Sequence, residues 1–201
     1  MQSIQTVSEN TIYVGASDRR LAKFENLFPI PRGVSYNAYV ILDEKTALLD
    51  TADASVGAQF LENVAAALDG RKLDYLIVDH LEPDHAAMIE AVLVRWPDLR
   101  LVVNAKTLPM LKMYFPTDSA AIDDALVVKE GDTLDLGKHK LTFVMAPMVH
   151  WPEVMMTFDT TTGTLFSADA FGTFGALEGA LFADEVDFAG KWLDDARRYY
   201  A

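Results

Sequence analysis

The stretch His80-Leu81-Glu82-Pro83-Asp84-His85 puts two imidazoles and two carboxylates into six residues. It follows the apolar run Leu73 to Asp79 and precedes a helix-like run, Ala86 to Arg95. A nearly continuous apolar run predicts a strand buried on both faces. A polar, ligand-rich turn between such a strand and a helix is where an α/β domain places its site. Pro83 argues against one helix through all six residues, so the His-Glu-x-x-His zinc arrangement does not apply. An extended segment would put His80, Glu82 and Asp84 on one face with period two, leaving His85 to open the next helix. That turn offers ligands to two neighbouring cations, His80 and Glu82 to one and Asp84 and His85 to the other. The plainer alternative makes Asp84 an N-cap for the helix 86–95 and Glu82 a solvated carboxylate. Two of the chain's four histidines fall in this turn, which favours the metal reading.

Working outward, residues 4–7 and 11–15 predict short strands around the turn Glu9-Asn10. Phe24 to Ser35, with Pro29, Pro31 and Gly33, predicts a loop. Tyr36 to Leu42 and Thr46 to Asp50 predict a hairpin. Ser55 caps an expected helix through Leu68, stopped at Gly70. Downstream, Leu101 to Val103 predicts a buried strand and Lys106 to Phe115 a helix. Further strands are expected at 125–128, 133–136, 140–145, 155–159 and 164–167, and a last helix over 185–200. Hairpins early and late, with βα units between, predict a layered α/β domain.

The other candidate residues lie beyond these later strands. His150 sits in the stiff loop Pro147-Met148-Val149-His150-Trp151-Pro152-Glu153, as a metal ligand or as a core histidine satisfied by backbone. His139, in the charged turn Gly137-Lys138-His139-Lys140, is expected to be a solvated turn residue. Asp169 ends an apolar strand, where a carboxylate needs a partner or a cation. A carboxylate has two oxygens, so Asp169 suits a bridge between the two halves. Asp50, after Ala47-Leu48-Leu49, is expected behind the ligands, holding an imidazole N–H.

Bulk properties narrow the classes. With 201 residues and 51% apolar composition, the chain can bury one large core. Its net charge of -13 argues against a nucleic-acid or anionic-membrane surface. The absence of cysteine excludes disulfides, iron–sulfur clusters and thiolate zinc within the chain. No apolar run approaches the ~20 residues that span a bilayer, and no secretory signal is visible at Met1-Gln2-Ser3-Ile4. A cytoplasmic protein is expected.

The order Asp50, His80-x-Glu82-x-Asp84-His85, His150, Asp169 resembles the metallo-β-lactamase superfamily. The usual first motif there is His-x-His-x-Asp-His, and Glu82 in place of the second His is similar to the flavodiiron proteins, or A-type flavoproteins. Gly33-Val34-Ser35-Tyr36-Asn37-Ala38-Tyr39, His150-Trp151-Pro152-Glu153-Val154-Met155 and Phe166-Ser167-Ala168-Asp169-Ala170-Phe171-Gly172 resemble the same family. The resemblance covers essentially the whole chain. It implies an αββα sandwich of two mixed sheets and a non-haem diiron site. It implies His80, Glu82 and His150 on one iron, Asp84 and His85 on the other, and Asp169 as the bridge. Trp151 and Phe171 are expected either to line a gas pocket or to pack the core. The implied activity is reduction of dioxygen to water or of nitric oxide to nitrous oxide. Electrons would come through FMN, from rubredoxin or a flavoprotein, with a homodimer as the family's assembly.

The chain departs from that pattern in two ways. It has no His after residue 150, where the family has a final ligand to the second iron, and no flavodoxin-like segment to carry FMN. Residues 1–201 are therefore expected to be one C-terminally incomplete diiron domain. Two other readings stay open. A dizinc hydrolase would use a metal-bound hydroxide, against which Glu82 argues. A diiron oxygen sensor would bind gas without turnover.

Overall fold

The computed structural model describes residues 3–115, 120–177 and 179–200. Seven strands form the larger sheet, in the order Gln5–Ser8, Thr11–Tyr13, Tyr39–Leu42, Thr46–Leu49, Tyr75–Ile77, Arg100–Asn104 and Leu126–Val128. Its first four strands pair antiparallel and its last four parallel, so the sheet is mixed. Four strands, Thr133–Asp135, Lys140–Met145, Met155–Asp159 and Thr164–Phe166, make a wholly antiparallel second sheet.

The parallel strands are linked through helices, as parallel pairing requires. Gly57–Leu68 joins Thr46–Leu49 to Tyr75–Ile77, and Pro83–Ala86 with Ile89–Arg95 makes the next crossover. Alternation along the strands then divides the core in two. Val40, Leu48, Leu76 and Leu101 pack against Phe60, Val64, Ile89 and Val92 of the helices. Ile41, Leu49, Ile77 and Val102 point the other way, onto Leu141, Phe143 and Met155 of the second sheet. Strands apolar on every residue are thus apolar because both faces are covered. The outer face of the smaller sheet keeps Val144 and Leu165 exposed.

Several boundaries differ from the sequence expectation. The helix predicted from 86 begins at Pro83, where a missing N–H is harmless, and breaks at Ala87-Met88 before Ile89–Arg95. The ligand turn is therefore extended only as far as Glu82 (ψ 146°) and helical from Pro83. Asp84 lies inside that first helical turn and is not its N-cap. Ser55 does not cap the next helix: Asp53 caps a 3-10 turn by accepting the Ser55 N–H at 2.8 Å. The predicted loop 24–35 contains a small hairpin, Lys23–Phe24 with Phe28–Pro29. The last helix is broken into Phe188–Lys191 and Leu193–Tyr199. Trp192 at the break is buried with Arg32 stacked 4.8 Å from its ring, so tertiary packing outweighs helical continuity there. Among the described residues no helix is long and apolar enough to cross a membrane.

His139 is the clearest correction. It is fully buried, not solvated, and its Nδ1–H donates to Asp159 Oδ2 at 2.8 Å. Its backbone N–H donates to Asp43 Oδ2 at 2.6 Å, so the hairpin Asp43-Glu44-Lys45 of the larger sheet closes over it. The charged neighbours Lys138 and Lys140 face solvent and pair with Glu9 and Asp135.

Candidate metal centre

The donors meet where the strand ends of both sheets converge. Asp50 follows Thr46–Leu49, and His80 follows Tyr75–Ile77. His150 lies in the connection between Lys140–Met145 and Met155–Asp159, and Asp169 comes just after Thr164–Phe166. The larger sheet supplies one wall of the site and the smaller sheet the other.

Two donor groups result. His80, Glu82, His150 and Asp169 each offer one atom, all within 4.8 Å of one another, and Asp84, His85 and Asp169 form a second such group. In the first, His150 Nε2 lies 2.7 Å from Glu82 Oε2 and 3.1 Å from Asp169 Oδ2. His80 Nε2 is 3.2 Å from Glu82 Oε2 and 3.3 Å from Asp169 Oδ2. In the second, His85 Nε2 lies 3.0 Å from Asp169 Oδ1 and 3.7 Å from Asp84 Oδ2. Asp169 thus turns a different oxygen to each group. All six residues singled out in the sequence come together.

Carboxylates behind the ring hold the imidazoles. Asp50, left-handed at φ 54° as the chain leaves its strand, accepts the His85 Nδ1–H at 3.0 Å and the Asp79 backbone N–H at 2.7 Å. Glu153, passed over in the sequence, does the same for His80: it accepts the Nδ1–H at 2.8 Å and the Leu81 N–H at 3.0 Å. With Nδ1 committed, each ring turns its Nε2 into the cluster, the atom it would offer to a cation once its proton is lost. Glu153 was legible only as one acid in a Pro-rich loop. Tyr199 is a second omission, its phenol hydrogen-bonded to Asp169 and held well up by burial and that carboxylate.

Trp151 stands edge-on to His80 with ring centroids 5.4 Å apart, and is partly buried against the core. Phe171 is 81% exposed and lines the mouth of a groove of about 500 Å³ that reaches Asp84, His85 and Asp169. Trp151 therefore packs against the site, and Phe171 stands at its rim.

The electrostatics fit cations. Burial opposes charge on His80, but hydrogen bonds to Asp169, Glu153 and Glu82 outweigh it and push the imidazole up to about 11. His85 is likewise raised well above its ordinary value against burial, by Asp84, Asp169 and Asp50. Asp169 is held far below the carboxylate range despite burial, because two imidazoles donate to it. Asp84 goes the other way, to about 6, because it is buried, and its Oδ1 has no hydrogen-bond partner. A buried carboxylate oxygen without a donor suits a metal. Protons on the imidazoles occupy the positions that cations would take. Metal binding must release them, so apparent affinity should rise with pH between 6 and 9, by about tenfold per unit for each proton displaced. A competition titration at several pH values reads this slope; a flat response would mean that His80 and His85 are not ligands.

Two facing sheets with paired His and carboxylate donors at their common edge define a metallo-β-lactamase-like fold. The description ODP family beta lactamase matches residues 34–194. The chain is 37% identical over 197 residues to the nitric oxide reductase of Moorella thermoacetica, covering 97% of this chain and 48% of that protein. It is also 37% identical to the anaerobic nitric oxide reductase flavorubredoxin of Klebsiella pneumoniae, over 97% of this chain and 40% of that protein. Among solved structures, the flavodiiron protein of Giardia intestinalis superposes with a TM-score of 0.91 at 27% identity, over 99% of this chain and 47% of that one. The rubredoxin oxygen:oxidoreductase of Desulfovibrio gigas gives 0.91 at 31% identity, over 98% and 48%. The chain belongs to the flavodiiron family of beta-lactamase-like proteins. It spans about half the length of the curated relatives it matches.

Proposed function

We propose that residues 1–201 carry the non-haem diiron site of an oxidoreductase that reduces dioxygen to water or nitric oxide to nitrous oxide. The observation that carries this reading is Asp169, whose two oxygens face two separate donor groups. His80, Glu82 and His150 would hold the first iron, Asp84 and His85 the second, and Asp169 both. Iron held by these residues would supply redox and Lewis-acid chemistry for reduction of the gas. Glu82 makes the first position harder and more anionic than an all-imidazole one, which favours a ferrous–ferric couple over zinc.

The chain's own residues do the rest. Asp50 and Glu153 fix the ring orientations of His85 and His80. Trp151 packs edge-on against His80, on the apolar side of the first donor group. Around the site, Leu27, Phe28, Met148 and Phe171 leave apolar side chains exposed, a surface suited to docking an electron donor carrying FMN or a rubredoxin-type centre.

The test is anaerobic loading with iron(II), then supply of electrons from a reduced flavoprotein with dioxygen or nitric oxide followed electrochemically. Gas consumption that needs iron and stops when zinc replaces it supports the reading. Hydrolysis of an ester or phosphodiester by the zinc-loaded protein, with no gas consumption by the iron form, would favour the hydrolase. A stable gas adduct without turnover would favour a sensor.

A further inference from the structure

Asn104 closes the buried strand Arg100–Asn104 and is only 5% exposed, so its amide must find partners inside the protein. Its Oδ1 serves its own chain. It accepts the N–H groups of Lys106 and Thr107, at 2.8 and 3.0 Å, where the helix Thr107–Tyr114 begins. An asparagine at a turn commonly does this. Its Nδ2 reaches instead to the loop that leads into Met155–Asp159 and donates to the Glu153 carbonyl at 2.5 Å. The register that sets Val102 beside Ile77 brings Asn104 level with Asp79. The Asp79 carbonyl accepts the Met155 N–H at 3.0 Å. Two neighbouring strand ends of the larger sheet thus grip Glu153 and Met155, at the foot of the loop that bears His150.

Glu153 needs that grip. It accepts the His80 Nδ1–H and the Leu81 N–H through Oε1 alone, and its buried Oε2 has no hydrogen-bond partner. A carboxylate held through one oxygen is free to pivot about it, so its backbone decides where it stands. Glu153 is buried as a whole residue, and a buried carbonyl requires a donor. The rest of the loop follows, because the Met148 N–H donates to the Trp151 carbonyl at 2.8 Å and the Ala146 N–H to that of Val154 at 3.0 Å. We infer that Asn104 is a positioning residue for the first metal position: by holding the Glu153 carbonyl it sets both the His80 ring and the His150 loop. This rests on the metal-site reading above. Asn104 lies outside both donor groups, and nothing in Leu101-Val102-Val103-Asn104 sets it apart from any polar residue that ends a buried strand.

The experiment uses the full chain with Asn104→Asp and Asn104→Ser, at mildly alkaline pH. Both substitutes keep an oxygen for the Lys106 and Thr107 N–H groups, and neither offers an amide N–H to Glu153. Zinc(II) is titrated against a chelator while the side-chain NMR resonances of His80 and His85 report each position separately. Zinc should bind the first position about tenfold more weakly in both variants, and the second within about twofold of the parent. In the metal-free forms the His80 Nδ1–H resonance should shift or broaden while that of His85 stays. An unchanged first position in both variants, or equal losses at both positions with the His80 resonance unmoved, would assign Asn104 to the fold and overturn the inference. If neither histidine of the unsubstituted chain responds to zinc, the metal site itself is refuted, and this role with it.

Discussion

Asp169→Ala should cost the chain both metal positions at once. Metal content after anaerobic loading should fall from two ions per chain to well below one, with affinity at each position weakened by about a hundredfold. The reason is geometric. Asp169 Oδ2 lies 3.1 and 3.3 Å from the Nε2 atoms of His150 and His80, while Oδ1 lies 3.0 Å from that of His85. Among the described residues no other carboxylate belongs to both donor groups. Glu153→Ala provides the contrast. Glu153 touches only the His80 side, through the imidazole Nδ1–H and the Leu81 N–H. Its loss should weaken the first position and leave the second within about twofold, since the loss of an outer hydrogen bond acts locally, on the order of 10–100-fold. Equal effects of Glu153→Ala on both positions, or retention of one tight ion in Asp169→Ala, would remove Asp169 from its bridging role.

The second large effect concerns stability. His139→Ala should destabilise the metal-free protein by about 3–5 kcal/mol, the cost of leaving the buried Asp159 carboxylate without its imidazole donor. Asp159 is fully buried, and His139 is its imidazole partner at 2.8 Å. Thr161 N–H and Thr162 Oγ1 also donate to Asp159, so the lower end of that range is expected. His139→Asn, whose side-chain N–H can take the place of Nδ1–H, should lose less than half as much. Urea unfolding of the three proteins measures it. If His139→Ala lies within ~0.5 kcal/mol of the parent, as an ordinary surface substitution would, the buried pair is not there.

His139 also shows where reading the sequence reached its limit. A glycine and three polar or charged residues in a row look like a solvated turn, and nothing in them reveals that His139 is covered by a hairpin almost a hundred positions earlier. The ligand turn was legible for the opposite reason. His80, Glu82, Asp84 and His85 are adjacent in the chain, so their joint chemistry needs no tertiary information. Asp50 and Asp169 were legible as carboxylates closing apolar strands, since such groups need a partner when buried. Glu153 and Tyr199 reach the site only through the packing of the two sheets and the last helix. Neither carries a local signal that sets it apart from other acids and tyrosines. The fold itself followed from strands apolar on both faces. The break at Trp192 did not, because helical periodicity says nothing of the Arg32 side chain that stacks on it. Pro83 reads as ruling out one helix through the six residues, and it does so as the first residue of a helix; the extended stretch before it is shorter than expected, ending at Glu82.

The paired site is the claim on which the proposed function and the role of Asp169 both rest. Its most direct test is anomalous diffraction at the iron edge from crystals grown anaerobically with iron(II). Two peaks are predicted per chain, one among His80, Glu82, His150 and Asp169, and one against Asp84 and His85, with Asp169 touching both. A single peak at the first group alone, or two zinc ions that iron cannot displace, would contradict it.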